Sequence, residues 1–190
     1  HYPLRRQRQM CKETGYTGPQ TAITPLIEGL RRLEYRGYDS AGIALGTPNK
    51  LFIEKRAGKL SNLEQELSSI PTAHSGIGHT RWATHGGPTD RNAHPHVDND
   101  GKLAVIHNGI IENYAELKAD LESKGHKFSS DTDTESVAHL LSDLRKKHNG
   151  DLSAAMREAV KSLRGSFTLV AIHADTCLLY TSDAADEEDS

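Results

Sequence analysis

Apolar residues recur along the chain with two spacings between about Gly15 and Asp175. Positions three or four residues apart predict five amphipathic helices. Their apolar positions are Ile23, Leu26, Ile27, Leu30 and Leu33; Leu60, Leu63 and Leu67; Tyr114, Leu117 and Leu121; Val137, Leu140, Leu141 and Leu144; and Ala155, Met156, Val160 and Leu163. Thr21 or Thr24 is expected to cap the first helix, and Gly37 to end it.

Short apolar runs between these helices predict strands. The runs Ala41 to Leu45 and Leu51 to Lys55 flank the turn sequence GTPN, which predicts a β-hairpin. Further strands are predicted at Ile77 to His79, at Leu103 to Ile106 and, as the last one, at Phe167 to Ile172. Because hairpin-like pairs are mixed with helices, and no strict βαβ repeat is present, the pattern predicts a layered α+β domain.

Both ends of the chain differ from its middle. Residues 1–10 are polar and basic without periodicity, and beyond Asp175 the letters CLLY lead into an acidic segment of small residues. Such a segment has little apolar surface to bury. We interpret residues 1–10 as a removable or non-native leader, 11–175 as one partial domain, and 176–190 as a non-native acidic tail.

Composition excludes several classes of protein. A length of 190 residues suits one domain, and a net charge of −3 without a dense basic patch argues against nucleic acid as a partner. The mean hydropathy of −0.62 and the lack of a long apolar run argue against a membrane span. The two cysteines, Cys11 and Cys177, do not resemble a disulfide framework, which favours a reducing cytoplasm.

Three polar residues of different charge type stand where apolar segments give way to turns. They are Arg81, Asn108 and Asp133. An arginine binds a carboxylate in a bidentate manner, a carboxylate binds an ammonium group, and an amide can donate to a reacting oxygen. This set therefore suits a small zwitterion.

Each of these residues also has a purely structural interpretation. Arg81 could form a surface ion pair beside a core tryptophan, Trp82. Asn108-Gly109 is a strong signal for a type I′ turn. Asp131 and Asp133 could be an N-cap and a first-turn acid of the helix that follows, or one could cap it while the other faces a ligand.

Eleven histidines and a cysteine offer further chemistry. His94 and His96 alternate as on one strand face, and His107 could join them in a metal site. However, the chain has no HExxH motif, no paired CxxC and no carboxylate at ligand spacing, so we predict no metal or other cofactor. Cys11 is the candidate nucleophile, and its own α-amine could serve as base if that amine were free.

Five segments together resemble the glutaminase domain of the glutamine–fructose-6-phosphate aminotransferase (isomerising) family. These amidotransferases of class II share the N-terminal nucleophile hydrolase fold. The segments are LEYRGYDSAG (33–42), GHTRWATHG (78–86), NAHPH (92–96), HNGIIENY (107–114) and TDTE (132–135). The resemblance covers about Gly15 to Asp175. It implies a four-layer αββα sandwich, here incomplete at the C-terminus.

The resemblance implies a role for each candidate residue. Cys11 matches the nucleophile, and Asn108 with Gly109 matches the oxyanion hole. Arg81 matches the residue that holds the glutamine α-carboxylate, and Asp133 matches the one that receives the α-ammonium group.

Supporting roles are implied in the same way. Trp82 matches a tryptophan near the ammonia route, Thr84 and His85 line the same pocket, and Arg36 belongs to a motif packed near the nucleophile. The implied function is hydrolysis of L-glutamine, supplying ammonia for glucosamine-6-phosphate synthesis in the cytoplasm. Fructose 6-phosphate would bind only to the isomerase domain, which is absent here. The full-length family is expected to be homo-oligomeric.

This chain departs from the family near Cys11. Residues 1–10 precede the cysteine, and Lys12, Glu13 and Thr14 follow it where the family has Gly-Ile-Val. Charged residues would enter a core strand at a cost or remain undocked. Two alternatives to an active glutaminase therefore stay open: an inactive glutamine-binding fragment with a blocked Cys11, and a metal-dependent hydrolase built on the histidines.

Overall fold

The computed structural model describes residues 12–84, 86–176 and 179–184, the last three by their backbone alone. Three residues singled out above, Cys11, His85 and Cys177, lie outside the described residues. The strands are β1 (Glu13–Thr17), β2 (Ser40–Thr47), β3 (Lys50–Ala57), β4 (Ser75–Arg81), β5 (His96–Val97), β6 (Leu103–Gly109), β7 (Phe167–His173) and β8 (Leu179–Ala184). The α-helices are α1 (Ile23–Leu33), α2 (Leu60–Gln65), α3 (Tyr114–Ser123), α4 (Asp133–Lys147) and α5 (Leu152–Ser162).

These strands form two antiparallel sheets. The first sheet has the order β1-β4-β2-β3, and the second has the order β5-β6-β7-β8. In the first sheet, β2 and β3 form the predicted hairpin, in which Thr47 pairs with Lys50. Asn49, in the connecting turn, adopts a positive φ of 67°. Asparagine tolerates this left-handed conformation better than most residues, which favours the tight turn.

Apolar side chains fill the spaces between four layers of secondary structure. One outer core lies between the first sheet and helices α1 and α2, and the other lies between the second sheet and helices α4 and α5. Between the two sheets, a middle layer contains Ala44, Ile77, Ala104, Ile106, Val170 and Ile172. Because side chains alternate along a strand, Leu45 belongs to an outer core while its neighbour Ala44 belongs to the middle layer. The predicted αββα order is confirmed.

The five predicted helices are confirmed, but the predicted cap of the first one is wrong. Helix α1 begins after Ala22, and no side chain caps it. Neither Thr21 nor Thr24 is therefore needed as a cap, and Ala22 is fully buried among the residues under the helix. Packing of this apolar face stabilises the helix in place of a capping bond.

Strand β1 shows how Lys12 and Glu13 are accommodated. It pairs with β4 at the edge of the first sheet, with Glu13 opposite His79, and its residues are exposed or partly exposed. The Thr80 amide donates to the Lys12 carbonyl (3.0 Å), and the Lys12 ammonium donates to the Gly37 carbonyl (3.2 Å). The edge position lets these polar side chains stay out of the core, so the strand docks despite them.

At the other end, strand β8 follows the predicted limit at Asp175. It pairs with β7 from Phe167 to Ile172, and Leu179 packs against the middle layer. Leu179 and Tyr180, the last two letters of CLLY, thus begin a sheet strand. Among the described residues, no helix combines the length and the apolar character needed to cross a membrane.

Candidate active site

A cleft of about 290 Å³ opens at one end of the sandwich, where the strands of both sheets and the start of α4 meet. Six of the predicted site residues line it: Arg81, Trp82, Thr84, Asn108, Gly109 and Asp133. They come from β4 and the segment after it, from the end of β6, and from the first residue of α4. Segments far apart in the sequence therefore converge on one cavity.

Arg81 is the last residue of β4 and is only 3% exposed. Its guanidinium donates to the carbonyls of Gly86 (3.3 Å) and Gly87 (3.4 Å) and lies 3.9 Å from the Asp39 carboxylate. Burial lowers the pKa of Arg81, while the negative charges of Asp39 and Asp133 raise it. The interpretation as a surface ion pair is wrong, since this cation is buried in the wall of the cleft.

Trp82 lies at the mouth of the cleft and is 61% exposed. The interpretation as a core tryptophan is therefore wrong. The Lys12 ammonium lies 5.5 Å from the centre of the indole ring, within the range of a cation–π contact. The Ala83 amide donates to the Asp39 carboxylate, which fixes the chain directly after Trp82.

Asn108 and Gly109 are the last two residues of β6, paired with Thr168 and Phe167 of β7. The interpretation as a type I′ turn is wrong, because both residues belong to a strand. Gly109 has a φ of 126°, and a Cβ at this position would lie 2.2 Å from the Ser166 carbonyl oxygen. Only glycine fits such a position. The strand therefore brings the side-chain amide of Asn108 and the backbone of Gly109 to the cleft.

Asp133 opens α4 and is only 3% exposed. Its Oδ2 accepts a hydrogen bond from the Ile111 amide (3.0 Å), and its Oδ1 lies 3.8 Å from His107 Nδ1. The N-cap residue of α4 makes no side-chain bond to the helix, so capping by an aspartate is wrong here. Asp131 is exposed and pairs with Arg91. A carboxylate in the first turn of a helix is stabilised by the helix dipole.

Arg36 lies apart from the residues that line the cleft. Its Nε donates to the Tyr35 hydroxyl (3.0 Å), and its side chain is partly exposed. Its charge reaches Lys12, whose pKa is lowered chiefly by burial and also by Arg36, while Asp39 raises it. The supporting role assigned to Arg36 stays a prediction, as do the roles of Cys11 and His85.

Buried histidines surround a threonine beside the cleft. Thr134 Oγ1 lies 2.7 Å from His94 Nε2 and 3.1 Å from His107 Nδ1, and Thr132 Oγ1 lies 3.0 Å from His96 Nε2. Burial lowers the pKa values of His94 and His96 well below the ordinary 6.5. A hydroxyl group thus lies at one ring nitrogen of each of these three histidines. In the part of the chain that the structure describes, no group of three or more His, Cys, Asp or Glu residues could hold a metal ion.

Two residues that sequence reasoning missed also line the cleft, Lys12 and His79. His79 stands two residues before Arg81 on β4, so both side chains project from the same face of the strand. Strand alternation in the segment GHTRW could have identified it. No comparable signal existed for Lys12, because its place at the cleft depends on how β1 pairs with β4.

Comparisons with known proteins show what this chain is similar to. A family profile described as "Glutamine amidotransferase domain" matches residues 79–185, which is more than half of the chain. Glutamine–fructose-6-phosphate aminotransferase (isomerizing) from Streptomyces coelicolor is 59% identical over 168 residues, and the enzyme of the same name from Pyrococcus horikoshii is 53% identical over 167. These matches cover 87% of this chain but only 27% and 28% of the relatives' length.

Solved structures support the same assignment. Glutamine phosphoribosylpyrophosphate amidotransferase from B. subtilis, complexed with ADP and GMP, superposes with a TM-score of 0.71 at 30% identity. The match covers 86% of this chain and 35% of that one. The predicted fold, that of the N-terminal nucleophile hydrolases, is confirmed by this likeness together with the two sheets and their helices. The chain belongs to the glutamine amidotransferase domain family.

Proposed function

We propose that this chain binds L-glutamine and hydrolyses its side-chain amide to give L-glutamate and ammonia. The observation that carries the proposal is the convergence of Arg81, Asp133 and the pair Asn108-Gly109 on one cleft. A buried cation, a buried carboxylate and an amide match the three polar parts of glutamine.

Binding of the amino-acid end follows from the two charges. Arg81 is held by two backbone carbonyls and by Asp39, so its guanidinium is fixed before the α-carboxylate arrives. Asp133 Oδ2 accepts a hydrogen bond from the Ile111 amide, and because a carboxylate has about four acceptor sites, it has acceptor capacity for the α-ammonium group. Both charges are already desolvated, so each contact with a substrate gains strength.

The chemistry needs a nucleophile, a base and an oxyanion site. In our proposal, the Cys11 sulfur attacks the side-chain amide carbon, and its proton passes through the α-amine of Cys11 to the departing ammonia. Asn108 and the Gly109 backbone N–H stabilise the oxyanion that forms in this step. Water then cleaves the thioester and releases glutamate.

The acceptor of the ammonia is inferred from the relatives. Their name pairs glutamine with fructose 6-phosphate, and this chain spans about a quarter of their length. We propose that ammonia made in this cleft serves amination of fructose 6-phosphate by a domain of the kind that makes up the rest of those relatives.

A second candidate is glutamine binding without turnover. Residues 1–10 precede Cys11 in the sequence, and while they are attached its nitrogen is an amide and not a base. In that form Arg81 and Asp133 still bind glutamine, but the thioester forms slowly or not at all.

Ammonia release and glutamine binding, measured on the same preparation, test both candidates. Ammonia is assayed in the intact chain, in Cys11→Ala and in the matched control Cys177→Ala, while intact mass and N-terminal sequencing report whether Cys11 leads the chain. Binding is followed by fluorescence of Trp82, the single tryptophan, which lines the cleft. We expect turnover that C11A abolishes and C177A preserves.

The two assays together distinguish the active form from the inactive binding form. Glutamine-induced fluorescence change without ammonia supports the inactive binding form. Full turnover in C11A, or no response to glutamine in either assay, overturns the proposal.

A further inference from the structure

His79 is a buried polar side chain at the cleft that makes no hydrogen bond to any residue the structure describes. It is 2% exposed, and both Nδ1 and Nε2 lack a partner in that part of the chain. Such groups are rare, since the large majority of buried polar side chains are hydrogen-bonded to protein or ordered water. A buried imidazole with both nitrogens open, in the lining of a cavity, therefore indicates a bound polar molecule.

His94 adds a third open nitrogen beside it. The His79 and His94 ring centroids are 4.5 Å apart, and both residues line the cleft. His94 Nε2 lies 2.7 Å from Thr134 Oγ1, whereas its Nδ1 has no hydrogen-bond partner within the described ranges. A buried water needs about two to four polar partners, and three ring nitrogens without a partner are enough in number for one.

Both rings are suited to bind a neutral molecule such as water. Burial lowers the pKa of His79 to about 3, and burial is also the main reason why the pKa of His94 lies well below 6.5. At neutral pH each imidazole therefore has one N–H donor and one acceptor nitrogen. Such a pair can accept from water and donate to it, but offers no charge to attract an ion.

We propose that His79, with help from His94, holds the water that hydrolyses the glutamyl thioester. The inference rests on the proposed glutaminase function and adds a catalytic residue to it. The water oxygen forms a bond to the thioester carbonyl carbon, and the carbon–sulfur bond breaks. One water proton passes through the α-amine to the Cys11 sulfur, and the hydroxyl group stays in the glutamate side chain. His79 positions the water and takes no proton.

Competition between water and hydroxylamine for the thioester tests this role. The full chain is given L-glutamine with and without hydroxylamine, and ammonia, glutamate and γ-glutamyl hydroxamate are measured. In His79→Leu we expect the ratio of hydroxamate to glutamate to rise about tenfold or more, as expected for loss of a positioned hydrogen bond. Hydroxamate formation itself continues, because acylation does not need the held water.

Matched variants exclude a general effect on folding. His79→Gln restores a donor and an acceptor and is expected to lower the ratio again. His173→Leu removes another buried histidine, 3% exposed on β7 and not among the residues that line the cleft, and should leave the ratio unchanged. If circular dichroism shows that H79L does not fold, His79→Phe is used in its place, because it fills the site with an apolar ring.

Two results overturn the inference in different ways. If the unmodified chain forms hydroxamate and glutamate, but H79L or H79F lowers both in parallel or changes neither, His79 does not hold the water. If the unmodified chain forms neither product, the glutaminase proposal fails and this inference fails with it.

Discussion

Acidification is expected to destabilise this domain, because the folded chain buries neutral histidines. His79, His94 and His96 are each at most 5% exposed, and burial is the main cause that lowers the pKa of each, to about 3 for His79. Above pH 6.5 these rings are neutral in both the folded and the unfolded chain. As the pH falls below 6.5, the unfolded chain binds protons that the folded one does not. The free energy of unfolding must therefore decrease as the pH is lowered.

The size of the effect follows from the proton count. Between pH 7.5 and 5.5, each histidine that stays neutral when folded lowers the free energy of unfolding by about 1.4 kcal/mol. Three such residues give about 4 kcal/mol, a large part of the roughly 5–15 kcal/mol that stabilises a typical domain. With a urea dependence of about 2 kcal/mol per M, the unfolding midpoint should drop by about 2 M.

Urea titrations followed by circular dichroism at pH 7.5 and 5.5 measure this shift. In His79→Leu the difference between the two pH values should shrink by about one third, since the substitution removes one of the three rings whose pKa lies far below 6.5. His74→Gln removes an exposed histidine and serves as the control. A midpoint that does not change with pH, or a difference that H79L leaves intact, would refute the reasoning.

Three further substitutions address the cleft. Arg81→Lys keeps the charge but loses the bidentate fork, so glutamine should bind about 10- to 100-fold more weakly in a fluorescence titration; unchanged affinity would argue against a carboxylate at this site. Asn108→Ala should lower kcat about 100- to 1,000-fold with little change in KM, and a loss confined to KM would contradict an oxyanion role. Gly109→Ala places a Cβ against Ser166 at positive φ and should lower the free energy of unfolding by about 1–3 kcal/mol or more in urea. Gly87→Ala, with open space around it, is the control and should be neutral.

Periodicity alone predicted most of the fold. The helices and the β2–β3 hairpin follow from apolar spacing and a turn sequence, because both are local properties. The split of residues between the outer cores and the middle layer was not predictable in this way. It depends on which strands pair and which faces meet, as the neighbours Ala44 and Leu45 illustrate.

The candidate site shows the same division. Arg81, Asn108 and Asp133 were selected by chemical type and by their places in the sequence, and the structure brings all three to one cleft. The surface ion pair, the turn and the N-cap were wrong because each considered only the local sequence, whereas the position of Asp133 in the first turn of α4 is confirmed. The dipeptide Asn108-Gly109 on its own predicts a turn, but pairing with β7 holds it in a strand. His79 was missed because its significance lies in the bonds it does not make within the described chain.

Strand β4 links the middle layer to the cleft, so it affects which substitutions can alter ligand binding. On one face it carries Ile77 in the apolar layer between the sheets, then His79, and then Arg81 in the wall of the cavity. A change of side-chain volume between the sheets is thus only four residues from the guanidinium, along a single stiff backbone. Substitutions in this middle layer are therefore expected to affect the position of the Arg81 guanidinium more directly than substitutions in the two outer cores.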